Sequence, residues 1–152
     1  MRAGVFLPAR LESTRLPRKL LLNETGMTVL EHTVRRALAA RELRPDLFEC
    51  VVCAVDHPDL LNIAESAGAK AVLTSADHNS GSSRIAEAVR RPEFAGLDIV
   101  VNIQADEPEM DPAAVVQVAG LLAEPGGTAP MATLVTPIPD ESDRKSTRLN
   151  SS

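Results

Sequence analysis

The sequence predicts an α/β fold, a Rossmann-like three-layer sandwich with a mostly parallel sheet that is incomplete at its C-terminus. Three observations predict it. Strand-like and helix-like segments alternate along the whole chain. The strand candidates are unbroken apolar runs such as "FECVVCAV" (48–55) and "LDIVVNIQ" (97–104), the pattern of parallel strands covered on both faces. Aromatic residues make up only 2%, with no Trp or Tyr, so the core must be Leu, Val, Ile and Ala.

The elements follow in order. "AGVFLP" (3–8) is a buried strand, and residues 9–19 form a loop without apolar period. "GMTVLEHTVRRALAAR" (26–41) is a helix that gathers Val29, Leu30, Val34, Ala37 and Leu38 on one face. The run 48–55 is the second strand. "HPDLLNIAESAG" (57–68) is a helix with Pro58 in its first turn and Gly68 as its stop. "KAVLT" (70–74) is a short strand, and "SADHNSGSS" (75–83) is a polar loop leading into the helix "SRIAEAVRR". The strand 97–104 runs into "ADEPEM", and "DPAAVVQVAGLLAE" (111–124) is a helix opened by Asp111 and Pro112. "PMATLVTPI" (130–138) reads as a last strand. Residues 140–152 have one apolar residue, Leu149, and read as a disordered tail. The tetrapeptide Ser-Thr-Arg-Leu of residues 13–16 recurs in this tail, but four residues without periodic self-similarity are no repeat.

Composition narrows the function. The chain has 152 residues, enough for one domain with a real core. A net charge of −5 argues against a nucleic-acid partner, which needs a basic surface. No apolar run approaches the ~18 residues of a membrane span. The N-terminal run is cut by Pro8 and lacks a small-residue cleavage site, so it reads as a strand and not as a signal peptide. The expected location is the cytoplasm. Cys50 and Cys53 form a C-x-x-C, but on a strand residues three apart face opposite ways, so they read as two buried core thiols.

Ligands of such sheets sit beyond the carboxyl ends of the strands, where three polar loops lie: 9–19, 75–83 and 105–110. In "PARLESTRLPRK", Arg10, Arg15, Arg18 and Lys19 repel one another unless an anion joins them. A triphosphate suits them, since Arg grips phosphate oxygens bidentately and Lys adds a mobile charge. The plain alternative is a solvated basic loop. In "VVNIQADEP", Asp106 stands just past Gln104 at a strand end, a placement that suits Mg²⁺ shared with phosphates; the alternative is an acidic turn before a helix. In "DHNSGSSR", Gly81 and its serines offer N–H and hydroxyl groups at a helix start, or merely cap the helix. There is no P-loop, no histidine cluster for zinc and no Ser-His-Asp signature.

Taken together, "LPARLESTRLPRKLL", "ADHNSGSSRIAEAV", "VVNIQADEPEM" and "MATLVTPI" resemble the 3-deoxy-manno-octulosonate (KDO) cytidylyltransferases, over roughly residues 3–139. The first motif is shared with CMP-sialate synthetases. The resemblance implies an enzyme of lipopolysaccharide synthesis that joins CTP and KDO into CMP-KDO and pyrophosphate with Mg²⁺, the anomeric hydroxyl attacking the α-phosphorus. It implies that Arg10, Arg15 and Lys19 hold the CTP phosphates, with Arg10 and Lys19 stabilising charge on the α-phosphate and leaving group. It implies Asp106 as the Mg²⁺ ligand, Gln104 facing the sugar, and Ser80, Gly81, Ser82 and Arg84 near the cytidine. Three departures stand out: Ala105 for the usual Gly, "SGSSR" for Ser-Gly-Thr-Glu-Arg, and "RKLL" for Gly-Lys-Pro-Leu. Family chains run longer, and their further part carries more sugar contacts, another metal carboxylate and much of the homodimer interface. The expectation is therefore the nucleotide-binding part of a cytidylyltransferase over 1–139, with a tail at 140–152 outside the family and little or no turnover. Alternatives are a CMP-sialate synthetase and a non-catalytic nucleotide-binding fragment.

Overall fold

The computed structural model describes residues 1–13, 16–126 and 128–135. Four strands, β1 (Ala3–Ala9), β2 (Phe48–Val55), β3 (Lys70–Leu73) and β4 (Ile99–Asn102), form one sheet in the order β3-β2-β1-β4. Every pairing is parallel, so the sheet is wholly and not only mostly parallel among the described residues. Four helices connect or flank the strands: α1 (Val29–Leu43), α2 (Pro58–Ser66), α3 (Gly81–Val89) and α4 (Pro112–Ala123).

Local chemistry sets the helix starts. At α1, Glu31 N–H donates to Thr28 Oγ1 at 3.1 Å while Thr28 N–H donates to Glu31 Oε2 at 2.6 Å, a reciprocal capping box. His57, Ser80 and Asp111 cap α2, α3 and α4 through their own side chains. Helix α3 starts at Gly81, so Ser82 and Ser83 belong to its first turn and not to the preceding loop. An Ncap serine satisfies the orphan N–H of Ser83, which lets the helix begin early.

The core is double. On one face, Val5, Leu7, Val51, Cys53 and Val55 pack with Leu30 and Val34 of α1, Leu60 of α2, and Val115 and Ala119 of α4. On the other, Phe6, Cys50, Val52, Ala54 and Val72 pack with Ile85 and Ala88 of α3 and with Phe94. Phe6 and Phe94 meet edge to face, with centroids 5.4 Å apart. Cys50 and Cys53 are both buried and free, on opposite faces of the sheet, as strand alternation requires.

One expected strand has no counterpart among the described residues. Residues 131–135 form no strand, and 136–138 lie outside the described residues, as does the expected tail at 140–152. Pro130 supplies no N–H for a ladder, and Met131 and Val135 stay 79% and 86% exposed. Among the described residues no helix is long and apolar enough to cross a membrane.

Candidate functional site

The chain places β2 and β3 on one side of β1 and β4 on the other. Strand order therefore reverses between β1 and β4, and the crevice beyond their carboxyl ends is where such sheets hold ligands. There, two adjoining hollows of about 210 Å³ and about 190 Å³ share Pro8, Arg10 and Gln104. His78, Asn79, Ser80, Gly81 and Arg84 complete the first, and Ser13, Lys19, Leu20, Ala105 and Asp106 complete the second.

Arg10 follows β1 directly and is exposed at the shared wall. Lys19 opens a 3-10 turn over Lys19–Leu21 that is anchored by buried Leu20. Arg18, just before it, takes a left-handed backbone with φ 53, a conformation costing an L-residue about 1–2 kcal/mol. Its guanidinium lies 3.8 Å from Asp59, outside both hollows, while Lys19 lines the second. Lys19 Nζ donates to Asp106 Oδ2 at 2.7 Å.

Asp106 owes its place to β4 and to α1. The fully buried Thr33 of α1 donates its hydroxyl to Ala105 O at 2.9 Å, pinning the residue beside Asp106. Arg18 is the only non-glycine with positive φ among the described residues, so Ala105 needs no glycine-like backbone.

Gly81 packs where no side chain fits. A Cβ built there would lie 2.9 Å from the Pro8 ring and 3.7 Å from Gln104 Oε1. The N-terminus of α3 thus approaches β1 closely and sits in the cleft wall. Ser80 caps that helix and lines the cleft, whereas Ser82 is exposed in the first turn and lines neither hollow. Arg84 lines the cleft but is only 3% exposed. Its guanidinium is committed to the protein: Nη1 donates to Thr74 Oγ1 at 2.7 Å and Ser75 O at 3.0 Å, and Nη2 reaches Asp56 at 3.4 Å. Arg15 lies outside the described residues.

Two contributors, Asp56 and Glu87, are not among the residues the sequence reading singles out. Asp56 was legible in principle, because it stands directly after a buried apolar run, as the Ala105–Asp106 pair does. Glu87 was not: it meets His78 Nε2 at 2.5 Å and accepts from the Ser75 N–H at 3.1 Å, bridging α3 to the polar loop. The His78 hydrogen bond, with help from Ser75, holds the Glu87 carboxyl below its usual range.

The donor set bears on a metal. Asp106 offers one exposed carboxylate beside two basic side chains, and no cluster of three or more His, Cys, Asp or Glu side chains is present among the described residues. These residues fit Mg²⁺, which takes one or two carboxylates and fills its shell with phosphate oxygens and water. They do not form a closed cage for a metal bound by protein alone.

The cytidylyltransferase family model matches residues 5–151. The 3-deoxy-manno-octulosonate cytidylyltransferase of Yersinia pseudotuberculosis serotype O:1b (strain IP 31758) is 44% identical over 133 residues, covering 88% of this chain and 50% of the relative. That of Yersinia enterocolitica serotype O:8 / biotype 1B (strain NCTC 13174 / 8081) is 42% identical over the same length. The chain spans about half the length of these curated relatives. Among solved structures, CMP:2-keto-3-deoxy-manno-octonic acid synthetase complexed with CTP superposes with a TM-score of 0.71 at 32% identity, over 83% of this chain and 49% of that one. A cytidylyltransferase from Leptospira borgpetersenii gives 0.65 at 25% identity, over 83% and 51%.

Proposed function

The chain belongs to the cytidylyltransferase family, and from that premise we propose that its cleft binds CTP for transfer of CMP to the sugar acid 3-deoxy-manno-octulosonate. The observation that carries this reading is the convergence of Arg10, Lys19, Asp106 and Gln104 with the start of α3 at the β1–β4 crevice. Two cations and one carboxylate suit a metal-bound triphosphate. A helix start beside them suits the polar edge of a nucleoside.

In the proposed reaction the sugar's anomeric hydroxyl attacks the α-phosphorus and gives its proton to solvent, the bond from that phosphorus to the bridging oxygen breaks, and pyrophosphate leaves. No covalent bond to the protein is formed, so the protein acts by positioning and by charge neutralisation. Arg10, at the wall common to both hollows, binds the α-phosphate region. Lys19 leaves Asp106 to meet the outer phosphates and carries positive charge towards the departing pyrophosphate. Asp106 would then hold Mg²⁺, which when bound supplies Lewis-acid neutralisation of phosphate charge. Gln104, between the hollows, is placed to donate to or accept from the sugar acid. Thr33 keeps the Ala105–Asp106 turn in register with the cleft.

Isothermal titration of the chain with CTP, with and without Mg²⁺, tests binding. Affinity that is raised by Mg²⁺ and lost in Asp106→Ala supports the reading; affinity indifferent to both counts against it. Pyrophosphate release with KDO set against sialic acid tests the substrate. Turnover of sialic acid alone would sink the KDO assignment and leave the cytidylyl transfer in place.

A further inference from the structure

Asp56 lies outside the cleft, yet its two oxygens join the cleft's opposite walls. It follows the last residue of β2, and the register Ala9↔Val55↔Leu73 sets it between the ends of β1 and β3. Its side chain is 13% exposed. Oδ1 accepts from the Leu11 N–H at 2.8 Å, on the segment that leads from Arg10 towards Lys19. Oδ2 faces Arg84 at 3.4 Å, on the first turn of α3 beside Ser80 and Gly81. Arg84 in turn holds Thr74 and Ser75, and Thr74 Oγ1 donates back to Val55 O at 2.9 Å. The ring closes on β2 where it began.

This arrangement is asymmetric in a useful way. A guanidinium stays charged at any pH the fold survives, and a buried one needs a carboxylate partner. The same carboxylate has a second oxygen left over, and that oxygen is spent on a backbone N–H of the other wall. One residue therefore fixes the gap between the segment at 10–13 and the start of α3.

We propose that Asp56 is a positioning residue for the nucleotide: it sets the spacing of the two cleft walls by accepting from Leu11 and pairing with Arg84. The identity of the ligand rests on the functional reading above; the tie between the walls does not.

Asp56→Ala leaves Arg84 buried without a counter-ion and risks unfolding. Two other variants avoid that ambiguity in the full chain. Asp56→Asn keeps an acceptor for Leu11 while weakening the hold on Arg84. Asp56→Leu with Arg84→Met removes both charges together. Amide exchange of the variants without nucleotide reads the tie, and titration with CTP and Mg²⁺, well below the melting temperature, reads the positioning. Asp56→Asn is expected to retain protection at Leu11 and lose it at the start of α3. The double variant is expected to melt cooperatively, to lose protection in both walls by roughly 10-fold or more, and to bind CTP roughly 10-fold more weakly. A double variant that melts cooperatively with wild-type exchange in both walls overturns the tie. Loosened walls with unchanged CTP affinity overturn the positioning role. A wild-type chain that binds no CTP overturns the functional reading, and the exchange data still decide the tie.

Discussion

Lys19 Nζ and Asp106 Oδ2 lie 2.7 Å apart, although they stand 87 positions apart in sequence. Each side chain is about two-fifths exposed, at 39% and 44%. An exposed pair of this kind contributes only about 0–1 kcal/mol, so it is readily exchanged for stronger partners. The two groups required on the proposed nucleotide neutralise each other until a phosphate and a cation separate them.

Lys19→Met should therefore act in opposite directions on two ligands. CTP affinity should fall by roughly 10- to 100-fold, the loss of a charged hydrogen bond worth about 1.5–3 kcal/mol. Mn²⁺ affinity without nucleotide, read by paramagnetic resonance, should rise because Asp106 loses its competitor. The thermal midpoint should barely move. A Mn²⁺ affinity that falls in this variant would argue that Lys19 does not compete for Asp106.

Gly81→Ala should both destabilise the fold and open the cleft. The added methyl meets the Pro8 ring at 2.9 Å, and a proline ring cannot swing aside. Overpacking of this kind costs about 1–3 kcal/mol. A denaturant midpoint equal to wild type would show that α3 can shift at no cost.

Alkaline pH should weaken the fold through Cys53. Burial pushes its thiol from 9.0 up to about 12. Between those values the unfolded chain releases the proton and the folded chain keeps it. Stability is thus fully present below pH 9 and falls as pH rises towards 12, by up to about 1.4 kcal/mol per pH unit. Cys53→Ala should flatten that part of the denaturation profile relative to wild type. An identical slope in both proteins would contradict the burial of the thiol.

Acid should loosen the loop before α3. Glu87 is held below its ordinary value of 4.5, first by His78 and then by the Ser75 N–H. Its contribution is present above that value and is lost as pH falls through the folded-state value. The protection factor at Ser75, taken relative to intrinsic exchange at each pH, should fall on acidification in wild type, and should already be low at neutral pH in Glu87→Ala. Protection at Ser75 that ignores both changes would remove Glu87 from the loop's support.

Thr28→Ala isolates the capping box of α1. Losing an N-cap acceptor costs about 1 kcal/mol, and α1 also carries Thr33, which holds Ala105. A lowered thermal midpoint with CTP affinity retained would separate helix stability from cleft geometry.

Much of the fold was legible because its signals are local. The run 48–55 matches β2 residue for residue, and Asp111 with Pro112 marks the start of α4 as written. The loops that converge in the cleft were legible too, because each follows a strand-like apolar run. The segment 130–138 was misread across 131–135, since an apolar run states that a strand is possible and not that a neighbour will pair with it. Arg84 illustrates the same limit within the site. The resemblance puts it near the cytidine and it does line the cleft, but no sequence signal shows that its guanidinium is buried and paired with Asp56.

The sequence by itself determined the alternation of strands and helices, the caps, and which polar segments stand at the carboxyl edge of the sheet. These depend on residue type and on periods of two or 3.6, which neighbours along the chain can read. The tertiary structure alone decided that Lys19 meets Asp106 and that Asp56 joins Leu11 to Arg84. Those choices depend on strand order and register, which set distant residues side by side, and on burial, which makes a lone charge take the nearest opposite one.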